Sequence, residues 1–203
     1  HYFALLAFLL SPFSGQSQYC TPTANCGIGD GIRLVSIGAF SNISDCEADL
    51  SVPGYGDFTA LPGMELGQGV TYEGLFRSDY ANQQFSIWID GNADFEFSAD
   101  EIIMSDVIVG TEITAASLTI PTDLAFGSYR MRVKATWNGP SSGDACIQGT
   151  YGESEDYTVT VVEPPTCLNV SGLTVDALSA TSITVSWTDP GTATVWDIEY
   201  GPA

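Results

Sequence analysis

The chain has 203 residues, of which 25 are Asp or Glu and five are Lys or Arg, giving a formal net charge of −20. A field of that sign repels phosphate backbones and anionic membrane surfaces, which argues against nucleic acid and favours divalent cations, basic partners and solubility. At 44% hydrophobic residues the chain is not compositionally disordered and has the apolar content for one ordinary domain and part of another.

Residues 2–10, YFALLAFLL, are continuously apolar and run into the small, polar stretch SPFSGQSQ. The run is too short to span a bilayer as a helix, so no membrane span is expected. Two readings stand side by side. One is a signal peptide removed on export. The other is a retained segment whose Tyr2, Phe3, Leu5, Leu6, Phe8, Leu9 and Leu10 are donated as a strand to an exposed sheet edge of a neighbouring molecule. Either way residues 1–18 stand apart from the rest of the chain.

Five cysteines, Cys20, Cys26, Cys46, Cys146 and Cys167, show no CxxC spacing, and the one histidine is His1. Zinc therefore has no credible ligand set. In an exported chain these residues are disulfide candidates, with one left over or paired across a domain boundary, and their spacing does not fix the connectivity.

GIGDGIRLVSIGAF, residues 27–40, carries alternate glycines, but no Lys-Ser or Lys-Thr follows and the next residues suit a strand, so it reads as a turn into β-structure. Turn signals then recur at SVPGYGD, LPGMELGQG, RSDYANQ, IVGTE, IPTDLAFG and NGPSSGD. Between them lie VTYEGLFR, QFSIWI, EIIMSDVIV, ASLTI and SYRMRVKATW. That rhythm predicts an all-β sandwich or barrel with no substantial helix.

The most chemically loaded stretch is SIWIDGNADFEFSADEIIM, residues 86–104. Phe85, Ile87 and Ile89 alternate with Ser86 and Trp88, which predicts a strand with one buried face. From Asp90, oxygen-bearing side chains then fall at loop positions 1, 3, 5, 7, 9 and 12, as Asp90, Asn92, Asp94, Glu96, Ser98 and Glu101. This is the register of a calcium loop, in which roughly six to eight oxygens converge on one hard cation and a terminal Glu closes the shell. Phe95 stands at position 6, where a sharp turn usually requires Gly, and the flanks read as strands. An acidic, solvated hairpin loop is the alternative. With strands on both sides, a bound ion would rivet a hairpin and open no groove, with Glu96 contributing its carbonyl and Ser98 acting through water.

In YRMRVKATW, Tyr129, Met131, Val133, Ala135 and Trp137 share one face, while Arg130, Arg132 and Lys134 share the other. In so acidic a chain the basic face predicts cross-strand pairing with carboxylates, each exposed pair contributing some tenths of a kcal/mol. The segment TYGESEDYTVTVVEPP comes next, with a turn at Gly152, three acids, a strand facing Tyr157, Val159 and Val161 inward, and a terminating Pro164-Pro165.

YGESEDYTVTV, with GSYRMRV and WIDGNADFEFSADE upstream, resembles the GEVED domain of secreted bacterial proteins, chiefly from Bacteroidota. The name motif stands as Gly152, Glu153, Ser154, Glu155 and Asp156, with Ser154 in place of the family's Val. The resemblance covers residues 19–163 and implies an immunoglobulin-like β-sandwich within exported adhesins, surface proteins and some secreted enzymes. It implies no reaction. The family's acidic, Asn-containing turn leading to Glu is matched by Asp90, Asn92, Asp94 and Glu101.

Residues 164–203 resemble the start of a fibronectin type III module. LTVDALSATSITVSWTDP supplies strands A and B, with Ile183, Val185 and Trp187 on one face. VWDIEYG supplies strand C through Trp196, Ile198 and Tyr200. A complete module needs about seven strands and roughly 100 residues, so the stretch is partial.

An enzyme reading lacks an internal His, an HExxH, a GxSxG elbow and a phosphate loop. The expected role is a structural or adhesive subunit of an extracellular, cell-surface or filamentous assembly, stiffened by Ca²⁺ and disulfides and joined by strand exchange with copies of itself or neighbouring modules. The alternative is a carbohydrate-binding accessory module using Trp88, Trp137, Tyr55, Tyr72 and Tyr80. A coplanar row of exposed rings favours it and burial counts against it. The sequons at Asn42 and Asn169 mark candidate glycosylation sites.

Overall fold

Runs that alternate apolar and polar residues between turn signals become strands because only a pleated segment puts every second side chain on one face. The computed structural model describes residues 18–46, 52–164, 170–189, 194–196 and 198. In chain order their strands are β1 (Ile32–Ile37), β2 (Phe40–Asn42), β3 (Tyr55–Asp57), β4 (Met64–Gly67), β5 (Thr71–Ser78), β6 (Gln83–Ile89), β7 (Ile102–Val109), β8 (Thr114–Thr119), β9 (Gly127–Trp137), β10 (Gly152–Val162), β11 (Ser171–Leu178) and β12 (Ile183–Thr188). The one helical piece among the described residues is a 3-10 turn at Ala99–Glu101.

A four-stranded sheet in the order β2-β1-β5-β8 packs on a six-stranded sheet in the order β3-β10-β9-β6-β7, with β4 also on β10. The two inner faces share one core. Ile32, Val35, Ile37, Phe76 and Leu118 come from the smaller sheet, and Phe85, Ile87, Ile89, Met131, Val133, Tyr157, Val159 and Val161 from the larger. The protein is an all-β sandwich. Most neighbours are antiparallel, but β3 and β4 pair with β10 in parallel, in tandem along its outer edge.

The outer face of the larger sheet departs from the alternation rule. Ser86, Trp88, Arg132, Lys134, Ser154 and Asp156 point away from the main core yet are all buried. Trp88 builds a second small core with Phe97 and Ala145, joined by Tyr19 and Ile102. Loops cover this face. Asp106, in a bulge of β7 with φ 52°, accepts from the backbone N–H of Ser141 and of Ser142 at 2.7 and 2.9 Å. Burial raises the Asp106 carboxyl, but the bonds from Ser142 and Ser141 outweigh it and hold the group below the usual carboxylate range. The disulfide Cys20–Cys146 ties the N-terminal strap to the same loop, and Cys26–Cys46 closes the strap's far end. Cys167 lies outside the described residues.

The strands β11 and β12 form a separate antiparallel pair with largely exposed side chains. Of the expected third strand, Trp196 and Ile198 lie in no strand, and Tyr200 lies outside the described residues. The Trp196 ring instead meets Trp187 edge-on at 5.7 Å. No helix among the described residues is long and apolar enough to cross a membrane.

Candidate functional site: the acidic loop and the buried charge spine

The loop after β6 winds on its own side chains. Asp90 is 1% exposed and accepts from the backbone N–H of Asp94 and of Phe95 at 3.3 and 3.1 Å. Asn92 Oδ1 accepts from Asp94 N, and Asp94 Oδ1 from Glu96 N, each at 2.9 Å. Asn92 Nδ2 donates to Asp94 Oδ2 at 2.8 Å. Asn92 and Asp94 each cap the N–H two residues on, while Asp90 reaches those four and five residues on, so the loop is wound on its own side chains. Phe95 takes φ 72°, so position 6 adopts the left-handed backbone that Gly normally supplies. Its ring lies 5.2 Å from that of Tyr19, a contact that helps offset the strain of a bulky residue there.

Glu101 behaves differently from a free ligand. Its Oε1 accepts from Gly91 N and its Oε2 from Ser98 N, both at 2.9 Å, with Ser98 Oγ at 3.0 Å. Glu101 thus braces the two ends of the loop, and Ser98 is part of that brace. Asp90, Asn92 and Asp94 retain acceptor lone pairs beyond their backbone bonds, whereas Glu96 is exposed, its own N–H the only part of it bonded within the loop. Among the described residues no three His, Cys, Asp or Glu side chains converge as a metal cluster would.

From Asp90 the contacts run inward. Tyr19 donates its hydroxyl to Asp90 Oδ2. Burial and the Asp90 carboxylate together push that phenol well above its ordinary range. The Arg130 guanidinium sits 4.7 Å over the Tyr19 ring and donates to Asp156 Oδ2 at 3.3 Å. Arg132 meets Asp156 with both arms, Nε to Oδ1 at 2.7 Å and Nη2 to Oδ2 at 2.9 Å, and both side chains are fully buried. The remaining Arg132 donors reach the carbonyls of Cys20 and Ala145 at 2.7 and 3.1 Å, and its plane lies 4.6 Å from the Phe97 ring. Tyr55 adds a 2.8 Å bond to Asp156, and its phenol is likewise pushed up by burial and by that carboxylate. The cross-strand pairing expected of β9 is present, Asp156 standing directly opposite Arg132, but the pair is buried where exposure was expected of β9. Its basic face lies under the loops, where unpaired charge is intolerable and geometry must satisfy each donor.

The same holds for the acids of β10. Glu153 Oε2 accepts from Ile32 N at 2.7 Å, and an added Cβ on Gly31 would sit 2.9 Å from that oxygen. Glu155 accepts from Ser44 Oγ at 2.6 Å and from the Tyr157 hydroxyl. Burial, followed by the Glu155 charge, drives the Tyr157 phenol far above its usual range. Ser154, standing for Val, donates to Gln148 Oε1 at 2.9 Å. Lys134 reaches the carbonyls of Asp144 and Ile147 at 2.9 and 2.7 Å, and burial lowers its ammonium below the ordinary lysine value. The sequon residue Asn42 gives Nδ2 to the Tyr157 hydroxyl at 3.1 Å, so a glycan there would have to share a nitrogen already bonded inward. Asn169 and residues 2–10 lie outside the described residues.

Of the aromatics weighed for sugar binding, Trp88 is fully buried, Tyr55 and Tyr72 are half-buried, and Tyr80 and Trp137 are exposed. Sequence reasoning missed Tyr151, which packs against Trp137. Its place before Gly152 was the available signal, since cross-strand register fixes what the end of β10 meets.

Fold and site together define a disulfide-tied, all-β sandwich module in which Asp90, Glu153, Glu155 and Asp156 are built into the frame. In agreement, the family model of the GEVED domain matches residues 84–160, from β6 through the motif strand. No curated protein matches the chain.

Proposed function

We propose that the chain is a non-catalytic structural and adhesive module of an extracellular protein, acting as a subunit of a cell-surface or filamentous assembly. The observation that supports this reading is the use made of residues 152–156. Glu153, Glu155 and Asp156 hold a strand start, a hydroxyl pair and a buried guanidinium, which is the work of a frame that must resist force or proteolysis. Two disulfides fit an oxidising compartment. The pair β11 and β12 is in keeping with the first strands of a fibronectin type III module.

Two open strand edges support assembly by strand exchange. Among the described residues β2 and β4 each pair on one side only, and an open cavity of about 530 Å³ lies between them, lined by Phe40, Asn42, Leu61, Pro62 and Met64. An extended apolar segment from a neighbour, residues 2–10 in this reading, would pair with such an edge and bury side chains in the cavity. Intact mass of the exported protein with electron microscopy tests it. Fibres that disappear on deleting residues 1–18 are expected; monodisperse monomers that keep residues 1–18 would overturn strand exchange.

The loop at 90–101 is proposed to hold Ca²⁺ through Asp90, Asn92 and Asp94, with Glu96 through its carbonyl, Ser98 through water, and Glu101 rotating from its brace to close the shell. The left-handed backbone at Phe95 supports this register. Chelation should lower the melting temperature in proportion to the logarithm of free calcium over its dissociation constant. Asp94→Asn should abolish the shift, and a melting temperature indifferent to calcium leaves a plain acidic loop.

A further inference from the structure

Tyr80, Trp137 and Tyr151 come together at one end of the six-stranded sheet, away from the acidic loop, and neither the charge spine nor the loop uses them. Trp137 and Tyr80 are 38% and 48% exposed. Their ring centroids lie 6.3 Å apart at 70°, and Trp137 meets Tyr151 at 5.7 Å and 87°. At that exposure Trp137 and Tyr80 leave part of their ring surface open to solvent.

The backbone beneath is fixed from three sides. Trp137 ends β9 opposite Gln83 of β6; its N–H donates to the Tyr151 carbonyl at 3.2 Å, and Asn138 N donates to the Asn82 carbonyl at 3.1 Å. Asn82 and Asn138, each in the left-handed region at φ 60° and 51°, are exposed, and among the described residues neither side-chain amide has a hydrogen-bond partner. Each amide therefore offers a carbonyl acceptor and two N–H donors to solvent, Asn138 directly following Trp137 in the chain.

We infer that this cluster is a carbohydrate-binding platform for a neutral, soluble polysaccharide. Pyranose C–H bonds, weakly positive, complement the negative face of an aromatic ring, and ring hydroxyls complement free amides. Neutrality follows from charge. The chain carries −20, so anionic glycans are repelled by its overall field. Solubility follows from the interplanar angles. Trp137, at 70° to Tyr80 and 87° to Tyr151, cannot share a planar crystalline surface with either tyrosine, but the rings can follow a chain that turns from one sugar to the next. These rings form no coplanar row, and the ligand preference changes accordingly.

Native gel electrophoresis in gels containing hydroxyethylcellulose, laminarin or arabinoxylan tests the platform, beside sedimentation with crystalline cellulose. Retardation in at least one neutral gel and no co-sedimentation are expected. Trp137→Ala and Tyr80→Ala should each weaken the retardation about tenfold, the size expected of a central aromatic contact. The double variant Asn82→Gly, Asn138→Gly, which keeps the left-handed backbone, should weaken it several-fold at unchanged melting temperature. The inference is overturned by no retardation in any neutral gel, by retardation that neither aromatic substitution changes, or by binding confined to crystalline cellulose. Assembly measured on the same variants keeps this result separate from the structural proposal, since the platform is remote from both the loop and the β2/β4 edge.

Discussion

Gly152, the first residue of the motif, illustrates how a single position is dictated by close approach. Its φ is +142°, and a Cβ there would lie 2.1 Å from the Ala135 carbonyl oxygen across the β9–β10 ladder. Gly152→Ala is expected to cost at least about 3 kcal/mol, measured by urea unfolding. Asp156, the last, is dictated by charge. Arg132→Met leaves that carboxylate buried against Arg130 and Tyr55 alone and should cost about 3 to 5 kcal/mol, whereas the double change Arg132→Met, Asp156→Leu should cost clearly less than the two single changes summed. Additivity in that cycle would mean the pair is not coupled. Both residues were visible in the sequence as a motif, but the reason for each lies in a partner strand, which no local pattern reports.

At the scale of elements, alternation read the inner faces of β6, β9 and β10 correctly because one-sided burial is what alternation encodes. It misread the outer face. Arg132 and Lys134 sit at polar positions and look solvated, yet the strap at residues 18–26 and the loop at 140–148 fold over them, a matter of long-range closure. One signal was present: Trp88 falls on the supposedly wet side, and a Trp there requires a cover. The acidic loop was legible in its spacing and in its acids, but the engagement of Glu101 with Gly91 and Ser98 depends on backbone N–H directions that appear only once the loop is wound. The cover itself is tied by Cys20–Cys146, 126 residues apart in sequence. Replacing both with Ala should destabilise the protein by about 4 to 5 kcal/mol on the chain-entropy account. It should also raise acrylamide quenching of the tryptophan signal as Trp88 gains access to solvent. Unchanged quenching would mean that the Asp106–Ser141 and Asp106–Ser142 bonds hold the cover without the disulfide.

For the molecule as a whole, the charge of −20 makes the alkaline limb of stability informative. Three phenols, Tyr19, Tyr55 and Tyr157, have their ionisation pushed above the ordinary value of 10.0 by burial and adjacent carboxylates. A group whose folded value lies above its unfolded one contributes stability that is complete below the unfolded value and is lost as pH rises toward the folded value. Lys134 opposes them. Its lowered ammonium value makes its charge costly in the fold, a cost relieved as pH climbs toward 10.5. Three phenols against one ammonium, in a chain whose self-repulsion grows with every further negative charge, predict a net fall. The melting temperature followed by circular dichroism should hold between about pH 7 and 9 and drop steeply between about pH 10 and 11. Tyr157→Phe should start lower, because Glu155 and Asn42 lose a partner, yet decline less over that interval. A variant whose decline matches the parent's would place the alkaline transition on Tyr19 and Tyr55, at the end of the spine nearest the acidic loop.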